Sequence, residues 1–423
     1  MSMKSRGIAI VLATLIVIVP HVARSADGDV AINEQPTADA ELTAFVRAIV
    51  EANPQVNAAR AALDASAALQ DAASRPLYNP SLEIEAENAD SDSRAIGISQ
   101  TFDWGGKRRA RTAVAKSQRN TVEAEYVAIR WQVTSDLLNA LASHQTESAR
   151  YSLASTRAET MQDFADLAQR RFDTGDISQI DIDLAVLAFT QARMQQATAA
   201  ANVAEAKQAM TTLDISSRYS AWPMLGTDFR APKISPSKAQ DLVMSLPEVR
   251  AAQFRVTAAT ALVELRQRER RQDPTLTLRG GKEDDESLIG LNITIPLAVR
   301  NRFKHEVTAA SAQRRQAQQI ASYVSRRAYA RFIGAQERYR LSQDAWRDWE
   351  NTGGVSLERQ GDLLRRLWES GEIGTTDYLV QIRQTLDTRE SALELRQAMW
   401  RAWFEWLAAS GQIEDWLGIK HKL

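Results

Sequence analysis

The sequence predicts a mainly α-helical chain with a small β part, built as two copies of one plan, with long coiled-coil helices and four membrane-type strands. Three observations predict it. Stretches of unusual length contain neither Gly nor Pro, residues 107–174 among them. Four short segments alternate apolar and polar side chains with period two. Four motifs recur in chain order at nearly constant offsets of 193, 194, 193 and 196 residues.

The repeat is carried by NPQVNAAR at 53–60 with LPEVRAAQ at 246–253, and by Asn79-Pro80-Ser81-Leu82 with Asp273-Pro274-Thr275-Leu276. Ile96-Gly97 recurs as Ile289-Gly290, and RFDTGDISQID at 171–181 recurs as LWESGEIGTTD at 367–377. A register kept over this distance marks duplicated structural units. The first repeat is expected over 26–213, with strands at about 80–88 and 94–103 and long helices at about 107–173 and 177–212. A linker follows at 214–238, with Pro223, Pro232 and Pro236. The second repeat is expected over 239–411, with strands at about 274–281 and 288–297 and long helices at about 301–369 and 375–410. Residues 412–423 form a tail.

Each element has a local reason. Residues 1–25 read as a signal peptide: Lys4 and Arg6 precede an apolar run from Ile8 to Val19, Pro20 ends it, and Ala23, Ser25 and Ala26 offer a cleavage site. That run is too short to span a bilayer. In the first long helix Val122, Tyr126, Ile129, Val133, Leu137 and Leu141 recur in steps of three and four. Phe303, Val307, Ala310, Ala317, Ala321, Val324 and Ala328 keep a near-heptad seam in the second copy. Such patterns give coiled-coil packing. Gly334, Gly353, Gly354 and Gly361 make the second copy's long helix the less regular one. Trp400, Trp403, Trp406 and Trp416 read as core packing.

The strands carry the class. Leu82, Ile84 and Ala86 alternate with Glu83, Glu85 and Glu87; Ile289, Leu291, Ile293, Ile295 and Leu297 alternate with polar or small residues. Their length approaches the 9–11 residues of a membrane strand. Four strands cannot close a barrel, and open edges are forbidden in lipid. Membrane strands of this number therefore require several chains to pool them; the alternative is a pair of soluble hairpins capping a bundle.

Composition narrows the function. Lys plus Arg (52) and Asp plus Glu (53) leave a net charge of −1, which excludes a broadly basic nucleic-acid binder. Cysteine is absent, so no disulfide or thiolate metal site exists. His21, His144, His305 and His421 show no metal-ligand spacing. No nucleophile–base pair or phosphate loop is present, so neither an enzyme nor a cofactor is expected.

NPSLEIEAEN (79–88), ISQTFDWGGKRRAR (98–111) and the two turns RRFDTGDISQIDIDLAVL and RLWESGEIGTTDYLVQ resemble the outer membrane efflux protein family, the TolC-like exit ducts of tripartite pumps. The first two motifs are similar to its CzcC-like, heavy-metal cation branch. The resemblance implies a homotrimer with a twelve-stranded barrel in the bacterial outer membrane and a helical tunnel in the periplasm. Its implied partners are a periplasmic adaptor (membrane fusion) protein, an inner-membrane RND pump reached through it, and outer membrane lipid. Relatives often carry a lipidated N-terminal Cys; this chain has none and is expected to be held by the barrel. The same duct for drugs or secreted polypeptides, or a soluble periplasmic coiled-coil scaffold, are the competing readings.

Trp104, Gly105, Gly106, Lys107, Arg108 and Arg109 would then form the barrel–helix junction, its cations facing either anionic headgroups or acids on neighbouring helices. Gly175, Asp176, Gly371 and Glu372 would form the tip turns that meet the adaptor. By the resemblance Asp377, with Asp181 in the first copy, would ring the periplasmic gate; an acid at a helix start is equally a dipole partner. Glu83, Glu85 and Glu87 would line the lumen, or else form a solvated face.

Overall fold

The computed structural model describes residues 37–88, 92–213, 222–227, 229, 231–232, 234–284 and 286–419. The signal-peptide segment lies outside the described residues.

Two short helices lead in, α1 (Ala40–Ala52) and α2 (Pro54–Ser74). Asn53 accepts a hydrogen bond from the Gln55 amide at 2.8 Å and Pro54 occupies the first helical position, so the α1–α2 bend is built from a cap and a pre-set φ. Strands β1 (Ser81–Asn88) and β2 (Asp92–Thr101) follow, then α3 (Lys107–Asp173), a single helix of 67 residues, and α4 (Gln179–Leu213). At ~1.5 Å per residue α3 is on the order of 100 Å long. The second copy repeats the order: α5 (Pro236–Ser245), α6 (Pro247–Glu269), β3 (Thr275–Glu283), β4 (Glu286–Thr294), α7 (Lys304–Asp348), α8 (Gly354–Glu369) and α9 (Thr375–Ser410), with a final turn α10 (Ile413–Trp416). β4 stops at Thr294, short of Pro296, which cannot donate to a ladder.

The long helices of the two copies differ. Where α3 is continuous, α7 and α8 are separated by a π-turn at Trp349–Gly353. The Trp349 ring lies over Gly353 so closely that a Cβ there would strike it. The extra backbone residue of the π-turn is thus tied to a glycine on which an indole rests.

The four strands form one antiparallel sheet in the order β1-β2-β3-β4. The β2–β3 ladder joins the repeats, while β1 and β4 are edges. The helices pack as an elongated bundle in which α3 contacts α2, α4, α6 and α9, and α7 contacts α6 and α9. Among the described residues there are two cores. The larger gathers α1, the middle of α3, the linker residues Leu225 and Phe229, and the tryptophan end of α9. Trp403 is fully buried, stacked on Phe229 at 5.3 Å and Trp406 at 5.1 Å, with Tyr339 at 5.0 Å. The smaller core lies near the far end of the long helices, with Phe164, Trp368 and Tyr378 in mutual ring contact.

Candidate functional site

The sheet and the far turns lie at opposite ends of the long helices, and each holds part of the candidate site. In the sheet, register sorts the side chains. Ser81↔Ser99↔Thr277↔Asn292 and Glu83↔Gly97↔Arg279↔Gly290 lie in rows on one face. Leu82↔Ile98↔Leu278↔Leu291 and Ile84↔Ile96 lie on the other. That apolar face is uncovered: Ile84 is 76% and Ile289 88% exposed. Exposed apolar rows of this extent demand a non-aqueous neighbour. Glu83, Glu85 and Glu87 are exposed on the polar face. Arg279 joins them there, 3.6 Å from Glu85, so the face is acidic with one compensating cation.

The junction explains why cations open α3. Asp103 accepts hydrogen bonds from the amides of Lys107 and Arg108, both at 2.7 Å, placing a carboxylate on the helix N-terminus. Gly106 takes the left-handed φ of +68° at the N-cap, and Gly105 is packed under the Arg268 carbonyl. Phe303 holds the same position before α7 with φ +51°, a conformation costly for a bulky residue. Lys107 turns inward and pairs with Asp273 at 2.9 Å; the side chains are 14% and 4% exposed. The Tyr78 hydroxyl donates to the same Asp273 oxygen at 2.8 Å, and this bond pushes the phenol pKa up to about 12. Arg111 donates to the Ala73 and Arg75 carbonyls at the end of α2. Of the junction cations, then, Lys107 faces an acid of the other repeat rather than a lipid surface. Arg108 and Arg109 face outward, beside a Trp104 that is 71% exposed.

At the tip the two turns share one construction. Gly175 and Gly371 have φ of +82° and +75°. Asp176 N donates to Arg171 O and Gly175 N to Phe172 O; Glu372 N donates to Leu367 O and Gly371 N to Trp368 O. Both are Schellman ends, which require glycine. Gly175, Asp176, Gly371 and Glu372 are all exposed. The acids that follow are not alike. Asp181 is bound into its own helix start, accepting from Ser178 Oγ at 2.7 Å and from the Ser178 amide at 3.1 Å. These bonds hold its carboxyl below the usual range. Gly374 stands where Ser178 would, so α9 lacks a side-chain cap and Asp377 is exposed at its first turn.

Sequence reasoning missed a ladder just above the tip. Arg157 of α3 reaches Asp387 of α9 and, at 2.7 Å, Gln195 of α4. Arg150 reaches Glu394 at 2.7 Å, and Arg383 reaches Gln191 at 3.0 Å. Two arginines seven apart on α3 thus face two acids seven apart on α9. That heptad spacing was the available signal; Asp103, Asp273 and Arg279 offered none. Among the described residues no cluster of three or more His, Asp or Glu is placed to hold a metal ion.

The sequence model of the family described as outer membrane efflux protein matches residues 45–214. The cobalt-zinc-cadmium resistance protein CzcC of Cupriavidus metallidurans is 26% identical over 259 residues, 59% of this chain and 62% of that protein. Several solved structures share the fold. CusC superposes with a TM-score of 0.74 at 15% identity, covering 89% of this chain and 93% of that one. The Campylobacter jejuni CmeC outer membrane channel gives 0.72 at 17%, covering 88% and 86%. The open-state Neisseria gonorrhoeae MtrE outer membrane channel gives 0.73 at 16%, covering 89% and 90%. Residues 45–214 thus match the outer membrane efflux protein family model, and the chain as a whole shares its fold with outer membrane efflux channels of known structure.

Proposed function

We propose that this protein is the outer membrane exit duct of a tripartite efflux system for heavy-metal cations, passive in itself and driven by an inner-membrane RND pump through a periplasmic adaptor. The observation that carries it is the sheet: one face apolar and uncovered, one face acidic, both edges open, at the end of helices about 100 Å long. An apolar exposed face belongs in lipid, and open edges in lipid must close on other copies. Three chains would pool twelve strands, with the acidic face inward. Glu83, Glu85 and Glu87 then line the lumen and favour cations as charged rings do, with Arg279 offsetting Glu85. Similarity to a cobalt-zinc-cadmium resistance protein supports the cargo.

Arg108 and Arg109 would face the inner-leaflet headgroups, with Trp104 at the interface. The tip turns Gly175–Asp176 and Gly371–Glu372 would receive the adaptor. Asp377 would charge the gate, while Asp181 serves mainly as a cap. The arginine ladder would hold the gate shut by tying α9 to α3 and α4.

Two variants test the gate. In Arg157→Ala each protomer loses a partly exposed pair of about 1 kcal/mol, so three protomers shift the closed-to-open ratio by about 100-fold. Single-channel conductance in planar bilayers is expected to rise; an unchanged value removes the ladder from the gate. Asp377→Asn is expected to weaken block of the channel by multivalent cations, and unaltered block removes Asp377 from it. The cargo is tested by growth of a deletion strain on Co, Zn, Cd, Ni, Cu and Ag salts beside dyes and antibiotics. Hypersensitivity to metals alone, restored by the intact gene, is expected. Sensitivity to organic compounds alone keeps the duct and discards the metal cargo.

A further inference from the structure

The joint between the two repeats inside one chain is a template for the joint between chains. We infer that β4 of one copy pairs with β1 of the next in the register set by the β2–β3 ladder, and that this seam completes an alternating Arg279–Glu85 belt on the polar face. The inference rests on the duct reading, since it needs the sheet to close on further copies.

The repeat supplies the register. Ile96-Gly97 matches Ile289-Gly290, so β2 corresponds to β4; Pro80-Ser81-Leu82 matches Pro274-Thr275-Leu276, so β1 corresponds to β3. The observed pairs Thr101↔Thr275, Ser99↔Thr277, Ile98↔Leu278 and Gly97↔Arg279 therefore transpose. They become Thr294 with the partner's Ser81, Asn292 with the partner's Glu83, Leu291 with the partner's Ile84, and Gly290 with the partner's Glu85.

Three observations support this. Polar residues fall opposite polar and apolar opposite apolar, which a shift of one would destroy. The helix-side ends coincide: Thr294, the last residue of β4, falls opposite the partner's Ser81, the first residue of β1. The chemistry is copied too. The Thr101 and Thr275 hydroxyls hydrogen-bond at 2.7 Å, and the transposed pair is again two hydroxyls, Thr294 and the partner's Ser81. At Gly281 a Cβ would strike the Arg94 carbonyl, yet the matching residue is Glu87, so the two joints diverge towards the loops. The shared register therefore covers 289–294 of β4 against residues 81–86 of the partner.

The consequence lies one row up. In both joints a glycine faces a long charged residue: Gly97 faces Arg279, and Gly290 faces the partner's Glu85. Arg279 already leans over Gly290, its Nε 3.1 Å from where a Cβ would sit, while its guanidinium stands 3.6 Å from its own Glu85. Closing the seam sets the partner's Glu85 just beyond Gly290. Arg279 then has a carboxylate on each side, and the two residue types alternate around the lumen.

The absence of cysteine makes the test clean. Phe102 N donates to Pro274 O and Asp284 N to Asp92 O, so the intervening odd-numbered β2 positions, Ser99 and Thr101 included, are the closer, non-hydrogen-bonded pairs. Their transposed copies suit a disulfide, whereas diagonal neighbours at about 7–8 Å do not. Full-length protein carrying N292C with E83C, or T294C with S81C, is oxidised in outer membranes and run on a non-reducing gel. Covalent dimers and trimers are expected from both, and only monomer from N292C with E85C or N292C with S81C. The T294C–S81C pair replaces small hydroxyl side chains and keeps the test independent of charge loss. Cross-linking by the diagonal pairs instead, or by none in protein that still assembles, overturns the register while sparing the duct. A native chain that stays monomeric in the membrane overturns the duct reading itself.

Discussion

Trp403→Ala is expected to destabilise the protein more than any other single truncation, by about 3–5 kcal/mol, the range for deleting a fully buried large aromatic. The Trp403 side chain is wholly excluded from solvent and makes ring contacts with Phe229, Tyr339, Trp406 and Trp416. Those partners come from the linker, α7, α9 and α10. Removing the indole leaves a cavity lined by those rings. The Tyr339 hydroxyl donates to the Phe229 carbonyl at 2.8 Å, and Trp400 Nε1 donates to the Gly226 carbonyl at 2.8 Å, so the linker is fastened over this core from two sides. Denaturant titration followed by tryptophan emission measures the loss. Trp131→Ala is the control, since Trp131 only borders the same core. Equal losses from the two would show that Trp403 is not the centre of the core.

Lys107→Gln is expected to cost about 3 kcal/mol, the low end for breaking a buried pair, because the Tyr78 hydroxyl still donates to Asp273. The loss arises because Asp273 is left as a carboxylate with little access to water, and its second oxygen is buried without a partner. Arg109→Gln, two residues on and on the outer side of the same helix, is expected to change stability by no more than about 0.5 kcal/mol. Adding Asp273→Asn to Lys107→Gln is expected to recover much of the loss, since an amide needs no counter-charge. Trimer yield and thermal midpoint across this cycle separate the two origins of the junction's positive charge. Equal effects of Lys107→Gln and Arg109→Gln, with no recovery in the double variant, would return Lys107 to the lipid surface.

The candidate site was legible wherever its signal is local. The strands were readable because a ladder with one apolar and one polar face forces period two, as in Leu82 to Glu87. The tip turns were readable because a helix ending in a left-handed residue calls for glycine, as at Gly175 and Gly371. Asp377 and Asp181 looked alike in sequence, yet one residue three positions earlier, Ser178 against Gly374, makes one a cap and leaves the other exposed.

What the sequence by itself determined is the repeat, the strand faces, the length of α3 and the glycine turns at the tip, because each follows from the geometry of a few consecutive residues. Only the tertiary structure decided the partners. Lys107 meets Asp273 across 166 residues, and Arg157 meets Asp387 across 230. Such pairs depend on how far one long helix or strand slides along another before its side chains interdigitate. Sliding is set by the summed contacts of whole helices, and no single stretch of the chain contains that sum.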